Sequence, residues 1–563
     1  VAVHGIDLGT TNSAIARTGA DGRPQVLTGL SGSPTTPSVV LFASAGEHVV
    51  GEGARREARL DPEHVCSLVK RRMGDAEWRF VAHGKAWSAP AVSSLILKSL
   101  VADAEFCGDP VKSVVITVPA YFGDEERRAT VLAGTYADLD VVDVLSEPIA
   151  AALAYGFGRL DGGPDLTKGD SPETVLVYDL GGGTFDATVI ELADRRISVL
   201  AVEGDHQLGG ADWDERLALH LSRRFCAENP DAEDPLDDSA GAQALVLAAE
   251  RAKHQLSEVE STDVVVTHDG ARSTITVTRA ELEELTAPLL RRTIDLTKAC
   301  LAEAARRGVP VVDRVLLVGG SSRMPAVAAA ITRELAGSFR GTPELHDPDL
   351  AVARGAALYG EKKELERMVG DDLRSRGRLR DGAGLDEALP ADLDAACRRV
   401  ADAYGVPLAQ VRRAVEIQVD TVVSRGFGVL AVNSFTGRLE PTWLVHRNDR
   451  LPIRARRSFG TVRSDQEAIN ITVVEQQGQV ESDRVEDAKV LINGRITGIP
   501  PGFGEGSEVQ VTFEMGFDGV LHVFAFHVEA GIPLELAATT GATLSQAEVA
   551  RERAQLGKLR RRG

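Results

Sequence analysis

Apolar residues recur along this chain in two rhythms. Through about residue 360, short unbroken apolar runs alternate with stretches of helical spacing, and from 416 to 543 the spacing switches to period two. Unbroken runs predict buried strands, spacings of three and four predict helices facing a core, and strict alternation predicts half-buried strands. Strands are expected at the start of the chain, at 111–118, 141–147, 174–179 and 314–318. Helices are expected over 89–106 (Leu95, Ile96, Leu100, Val101), from Asp124 onward, through the small-residue run IAAALAYGFG, over 245–256 and 279–305, and after Asp347-Pro348-Asp349. The polar, acidic stretch 226–244 reads as a surface loop. This alternation predicts α/β layers for 1–360. Residues 361–415 are charged and helical, broken by RGRLRDGAG and ALPADL, a linker or insert. Residues 416–543 predict an all-β module of about eight strands, sandwich or barrel, punctuated by turns such as Phe517-Asp518-Gly519. Residues 544–563 form at most one short basic helix.

Two stretches carry the chemistry. The strand at 174–178 ends in Asp179 and runs into Gly181-Gly182-Gly183-Thr184; the first strand ends in Asp7 and runs into Gly9-Thr10-Thr11-Asn12. Glycines let a backbone approach a ligand closely, and successive N–H groups form an anion-binding concavity. An acid at the strand end can hold a metal through water. One such loop could be a tight hairpin turn. Two Asp-Leu-Gly loops, each after an apolar strand, point to two related half-domains facing one nucleotide. The run RVLLVGGSSRMP adds a third strand, with Gly319-Gly320 before a helix start, which suits phosphate or ribose contact.

Charge narrows the partners. The net charge of −20 and pI near 5.2 argue against nonspecific nucleic-acid binding. No run of 18 apolar residues exists, so no membrane span is expected. The first strand begins at once, so no signal peptide is expected. Five scattered cysteines fit a reducing cytoplasm and show no metal-ligand spacing.

The motifs IDLGTTNS, LVKRRMG, ITVPAYFGDEERRAT, LSEPIAAALAYG, VYDLGGGTFD, LGGADWDERL, ERAKHQLS, LVGGSSRMP and DPDLAVARGAA resemble, in order, those of the DnaK-type seventy-kilodalton heat-shock chaperones. RGFGV, NDRLPIRARRSFGT, INITVVE, ITGIPPG and FEMGFDGVLHVFA resemble that family's peptide-binding sandwich more loosely. The resemblance implies an actin-like (ribonuclease H-like), two-lobed α/β ATPase over 1–360 followed by an all-β sandwich. It implies ATP, ADP and Mg2+ as ligands. Asp7 and Asp179 would hold magnesium through waters. Gly9, Thr10, Thr11, Asn12, Gly181, Gly182, Gly183 and Thr184 would meet the phosphates. Lys70 would orient the attacking water, supported by Glu147, Thr184 and Asp186. Glu250, Lys253, Ser257, Gly319, Gly320, Ser321 and Arg323 would face the adenosine, with Asp349 closing the pocket. His254 stands where the family usually has an arginine over adenine, a weaker and pH-dependent cation–π face.

By the same resemblance, Pro119, Tyr121 and Arg127 form a relay between nucleotide and peptide. Phe427, Phe459, Val462, Ile469, Ile471 and Ile499 form an apolar peptide pocket, in which Phe427 and Val462 are bulkier than usual. Arg454, Arg456, Arg457 and Arg463 would suit acid-flanked clients. Two departures stand out. VEIQVD, at 415–420, is the nearest match to the family's Leu-rich linker and follows some fifty extra residues. The helical lid is expected to be missing beyond the stub after Ser545. The implied activity is ATP-driven binding of unfolded or extended polypeptides in a cytoplasmic stress response, with a J-domain co-chaperone and a nucleotide-exchange factor as partners. The rivals are an ATP-switched scaffold with one dedicated partner, a sugar or glycerol kinase, and an inactive ATPase.

Overall fold

The computed structural model describes residues 3–562 except 30–31, 159–171, 194, 479, 517–520 and 538–545. Two six-stranded sheets share one plan. In the first, Val3–Asp7 pairs antiparallel with Asn12–Thr18 and parallel with Ser113–Val118, which in turn pairs with Asp140–Ser146. In the second, Glu173–Leu180 pairs antiparallel with Phe185–Ala193 and parallel with Arg314–Val318. Each Asp-Leu-Gly loop is therefore the turn between an inner strand and its antiparallel neighbour.

The inner strands are apolar without alternation because both faces are covered. Val175, Leu176, Val177 and Tyr178 are all 0% exposed. Val175 and Val177 join a core shared with Val3, Val115 and the first half-domain's helix Glu147–Gly158, while Leu176 and Tyr178 join one on the opposite face. Each such side chain contributes about 1.5–3 kcal/mol by leaving water. Between the sheets, helix Glu147–Gly158 packs on helix Ala351–Ser375. Their backbones nearly touch: a Cβ on Gly355 would lie 1.7 Å from the Ala150 carbonyl oxygen. That contact explains the alanine-rich run at 150–154.

Several elements depart from the pattern read in the sequence. The stretch 226–244 is not one loop. Helix Gly210–Glu228 reaches into it, and helix Ser239–Leu256 starts inside it, capped by the Asp238 carboxylate on Gly241 N at 2.8 Å. The region 279–305 is one helix, Arg279–Arg306, with Pro288 inside. The boundary placed at 360 falls within helix Ala351–Ser375, whose second half packs with Pro390–Tyr404 and Leu408–Glu416 around Leu365, Val369, Val400 and Val411. The insert thus has its own small core. Gln418–Asp420, inside the VEIQVD stretch, belongs to the second α/β sheet as a parallel partner of Arg196–Asp205.

The β module proper begins at Phe427–Val432. Its eight strands form two four-stranded sheets packed face to face, with Val429, Val473, Val511, Phe513 and Val523 between them. It is a sandwich, not a barrel. The turn expected at 517–519 lies outside the described residues. The last segment forms helix Gln546–Leu556 and then a two-residue strand, Arg560–Arg561, beyond the single helix expected. No helix among the described residues is long and apolar enough to cross a membrane.

Candidate functional site

A cleft of about 600 Å3 lies between the two half-domains. Asp7, Gly9, Thr10, Thr11, Asn12, Lys70 and Glu147 line it from the first. Asp179, Gly181, Gly182, Thr184, Glu250, Lys253, His254, Ser257, Gly319, Gly320, Ser321, Arg323 and Asp349 line it from the second. Gly183 and Asp186 are not part of this lining. A Cβ on Gly183 would lie 2.2 Å from Thr10 Cγ2, and one on Gly182 would lie 2.1 Å from Thr11 Oγ1. The two loops therefore abut, and only glycine permits that approach. Asp186 turns away from the cleft and accepts a hydrogen bond from Tyr121 N at 3.2 Å.

Lys70 is 4% exposed on a short 3-10 turn entered through Leu68 at φ 54°. Its Nζ is ion-paired with Glu147. Lys253 donates to Gly210 O at 2.9 Å and pairs with Asp214 at 2.8 Å. Arg323 holds Asp349 at 2.5 Å. The sequence reading passed over Arg55, which ion-pairs with Glu250 across the mouth, and Arg71, which donates to Gly183 O at 2.9 Å and to Asp212. Arg71 lies inside LVKRRMG and Asp214 inside LGGADWDERL, so those motifs held the signal; Arg55 had none.

Burial dominates the electrostatics. It raises Asp7 to about 7 and Asp186 to about 8, with Glu147 adding to both. Burial, then Glu147, pushes Asp179 well above the usual carboxylate range. Asp7, Glu147 and Asp179 thus share the cleft wall with Lys70, whose ammonium is paired with Glu147 alone among them. A hard divalent cation bound through oxygen would relieve that imbalance. No ready-made cage of three or more His, Cys, Asp or Glu ligands exists among the described residues. Magnesium fits this donor set, because it keeps most of its waters and binds through one or two carboxylates and substrate phosphates.

The sandwich docks against the back of this site. Tyr121 is 4% exposed, donates its OH to Gly478 O at 3.2 Å, and lies between the guanidinium groups of Arg425 and Arg447 at 5.1 and 4.9 Å. Arg425 pairs with Glu126 at 2.8 Å and Glu475 at 3.3 Å; Arg447 pairs with Glu203 at 2.8 Å; Lys489 pairs with Glu125. Burial raises Glu475 to about 7, whereas at Glu126 the upward push of burial is outweighed by Arg425, a backbone N–H and Lys489 acting together. Pro119 is buried at the end of strand Ser113–Val118 and accepts from Phe122 N at 3.2 Å. Arg127 donates to Phe122 O and Val144 O, both at 3.4 Å and both within the first half-domain.

Five of the six residues expected to line a peptide pocket meet in or against the core between the two sheets, and Val462 lies outside it. Phe427, Ile471 and Ile499 are 3, 7 and 3% exposed in the core between the sheets. Phe459 and Ile469 are partly buried against it, and Val462 is 58% exposed. The Phe427 ring is large enough to fill inter-sheet space that a smaller residue would leave open. Arg454 pairs with Glu514 at 2.8 Å, while Arg456, Arg457 and Arg463 are exposed with no ion pair among the described residues.

Fold and cleft together define a mixed α/β protein with a carboxylate-rich cleft of about 600 Å3, joined to a β-sandwich. The family model described as Hsp70 protein matches residues 3–83, 75–364 and 426–561, so the chain belongs to the Hsp70 family. Members of that family are in general ATPases that bind nucleotide with Mg2+ and take polypeptide substrates. Residues 365–425, the helical insert and the linker strand, lie outside the match.

Proposed function

We propose that this chain is an ATP-dependent chaperone in which a two-lobed, actin-like ATPase controls a sandwich that holds extended polypeptide segments. One observation carries the reading. The residues expected to meet nucleotide converge on one cleft, and Asp186 at its back is bonded to Tyr121, which the sandwich grips.

In this reading the abutting Gly9–Asn12 and Gly181–Thr184 loops hold the β- and γ-phosphates through backbone N–H groups. Asp7 and Asp179 would hold magnesium through water, and the ion would supply neutralisation of phosphate charge. Glu147 keeps Lys70 Nζ aimed into the cleft, where the ammonium orients the attacking water. Water adds to the γ-phosphorus, the bond to the β-phosphate oxygen breaks, and ADP and phosphate leave. Glu250, Lys253, His254, Ser257 and Arg323 hold the adenosine. A J-domain co-chaperone and a nucleotide-exchange factor are the partner classes this cycle calls for.

A second reading, an ATP-switched protein with one dedicated partner, draws support from the burial of Phe427, Ile471 and Ile499, which leaves less apolar surface for varied clients. Single-turnover ATP hydrolysis, with and without a panel of unfolded peptides, separates the two. Slow hydrolysis lost in Lys70→Ala and changed by many peptides supports the chaperone. Hydrolysis indifferent to every peptide sinks it in favour of the dedicated switch.

A further inference from the structure

The C-terminal segment does not stay with the sandwich. Strand Ile532–Ala537 closes the second β-sheet, yet helix Gln546–Leu556 lies on helix Ala89–Phe106 of the first half-domain. Beyond it, Arg560–Arg561 pairs in parallel with Glu47–Val50, which belongs to a small sheet of that same half-domain.

The attachment is buried and specific. Glu552, 7% exposed, accepts hydrogen bonds from Ser88 N at 3.0 Å, Ser88 Oγ at 2.7 Å and Tyr136 OH at 3.0 Å. Leu556 is 3% exposed inside the core that holds Leu95 and Ile96. Arg560 N donates to Gly46 O and Arg562 N to His48 O, both at 2.9 Å. Arg553 pairs with Asp138 at 2.7 Å and Arg561 with Asp103 at 3.5 Å. A solvated basic stub would leave its glutamate in water. Here a carboxylate sits in a pocket that supplies three donors, which is costly unless the pocket exists to hold it.

We propose that residues 546–562 are a strap that keeps the sandwich within short reach of the ATPase part whichever nucleotide is bound. This rests on the chaperone reading above and specifies its regulation. Only residues 538–545 separate Ala537 from Gln546, so the two points stay within roughly 30 Å of each other. At its other end the sandwich is held by Gln418–Asp420, paired into the second half-domain's sheet. The chain therefore closes a loop across both half-domains, with the sandwich between two anchors. Such tethering keeps the docking faces at high effective concentration. Nucleotide would then adjust the client site on a sandwich that never swings free.

The test lengthens the strap without touching its contacts. About twenty Gly/Ser residues are inserted between Ala537 and Gln546, a flexible coil of ample reach. Small-angle scattering is recorded for the parent and the lengthened chain with ADP and with ATP. A second variant, Glu552→Ala with Arg560→Pro and Arg562→Pro, detaches the segment instead; its thermal midpoint shows that it still folds. The parent is expected to stay compact in both nucleotides, near ~24 Å in radius of gyration. Both variants are expected to expand by several ångström in ADP. Equal radii for parent and lengthened chain in ADP, or an expansion of the parent itself, overturns the strap. Thermal shift checks nucleotide binding in the same samples. If nothing binds, the functional reading fails, and the lengthened-against-parent comparison without nucleotide decides the strap by itself.

Discussion

Arg425→Ala should undock the sandwich. The guanidinium is 6% exposed and faces Glu126 of the first half-domain and Glu475 of the sandwich, which is 0% exposed. Removing the cation leaves two buried carboxylates facing each other, with Glu125 next in the chain. Taking one partner out of a buried pair costs about 3–5 kcal/mol, because the remaining charge stays desolvated. The docking equilibrium should therefore fall by roughly two to four orders of magnitude. The sign with pH follows from Glu475, which burial raises to about 7. An acid with a raised docked-state pKa adds no penalty below its ordinary range near 4.5, and its full penalty is present above 7. The variant, lacking the opposing Arg425, should dock better as pH falls from 7 toward 5, and more steeply than the parent. Native-state hydrogen exchange reads this at two amides that cross the interface: Asp124 N to Glu475 Oε1 at 3.4 Å and Val202 N to Asn448 Oδ1 at 3.0 Å. Protection at both should drop by the same 3–5 kcal/mol range. Arg425→Met with Glu126→Gln and Glu475→Gln removes the charges together and should recover most of it. Unchanged protection in Arg425→Ala would refute the argument that this network holds the interface.

Three further outcomes follow from the cleft. Gly182→Ala places a Cβ 2.1 Å from Thr11 Oγ1, so one of the two abutting loops must move; overpacking of about 1–3 kcal/mol predicts a roughly 5- to 150-fold loss of ADP affinity by calorimetry, and an unchanged Kd would count against the abutting loops. Burial raises Asp7 to about 7 and Asp186 to about 8, so the folded nucleotide-free protein holds protons that the unfolded chain has lost. Its thermal midpoint should therefore fall as pH rises from 5 to 8, with a ceiling of about 3 kcal/mol from Asp7 over that range, and Mg·ADP should flatten the slope; a midpoint that rises over that range would contradict the burial argument. His254 is lowered by burial and then by Lys253, so position 254 presents no cation to the cleft at pH 7. His254→Arg restores one and should tighten ADP by about 0.5–2 kcal/mol, again read by calorimetry; no gain would place the base elsewhere.

What the sequence made legible was local. An apolar run ending in Asp-Leu-Gly writes a buried strand, its turn and its ligand-facing loop into adjacent residues, so Asp7, Asp179 and the glycines could be found without a fold. Lys70 and Glu147 were found through motifs, since nothing near either residue shows that the two side chains meet. The docking network was not legible. Arg425 and Lys489 find Glu126 and Glu125 across more than 290 residues, and no periodicity records such a pair. The insert was misread at its edge because the charged positions after residue 360 hid a helix that runs on to Ser375. Phe427 was ambiguous for a different reason: an inward apolar residue on a strand looks the same whether it faces a ligand or the opposite sheet. Glu552 and Leu556 sit in a short basic helix that would be expected to be solvated, and only the pocket formed by Ser88 and Tyr136 accounts for their burial.

Coupling between cleft and sandwich needs an element whose position both sides bias, since a ligand shifts an equilibrium only through differential contacts. The nucleotide cleft and the sandwich share no lining residue, but they share strand ends. Asp186 stands opposite Gly204 in the sheet, and a Cβ on Gly204 would lie 2.6 Å from Asp186 Oδ1. The next residues back, Glu203 and Val202, are those held by Arg447 and Asn448. Tyr121 closes the same circuit from the first half-domain, with its amide on Asp186 and its ring between two sandwich arginines. A shift of Asp186 on phosphate binding must therefore move either Tyr121 or the 202–204 strand end. The rigid sheet behind Asp186, 0% exposed from Ala187 through Ile190, cannot absorb it. On the chaperone reading, the contacts at Tyr121 and at 202–204 are the route from Asp186 to the docking face.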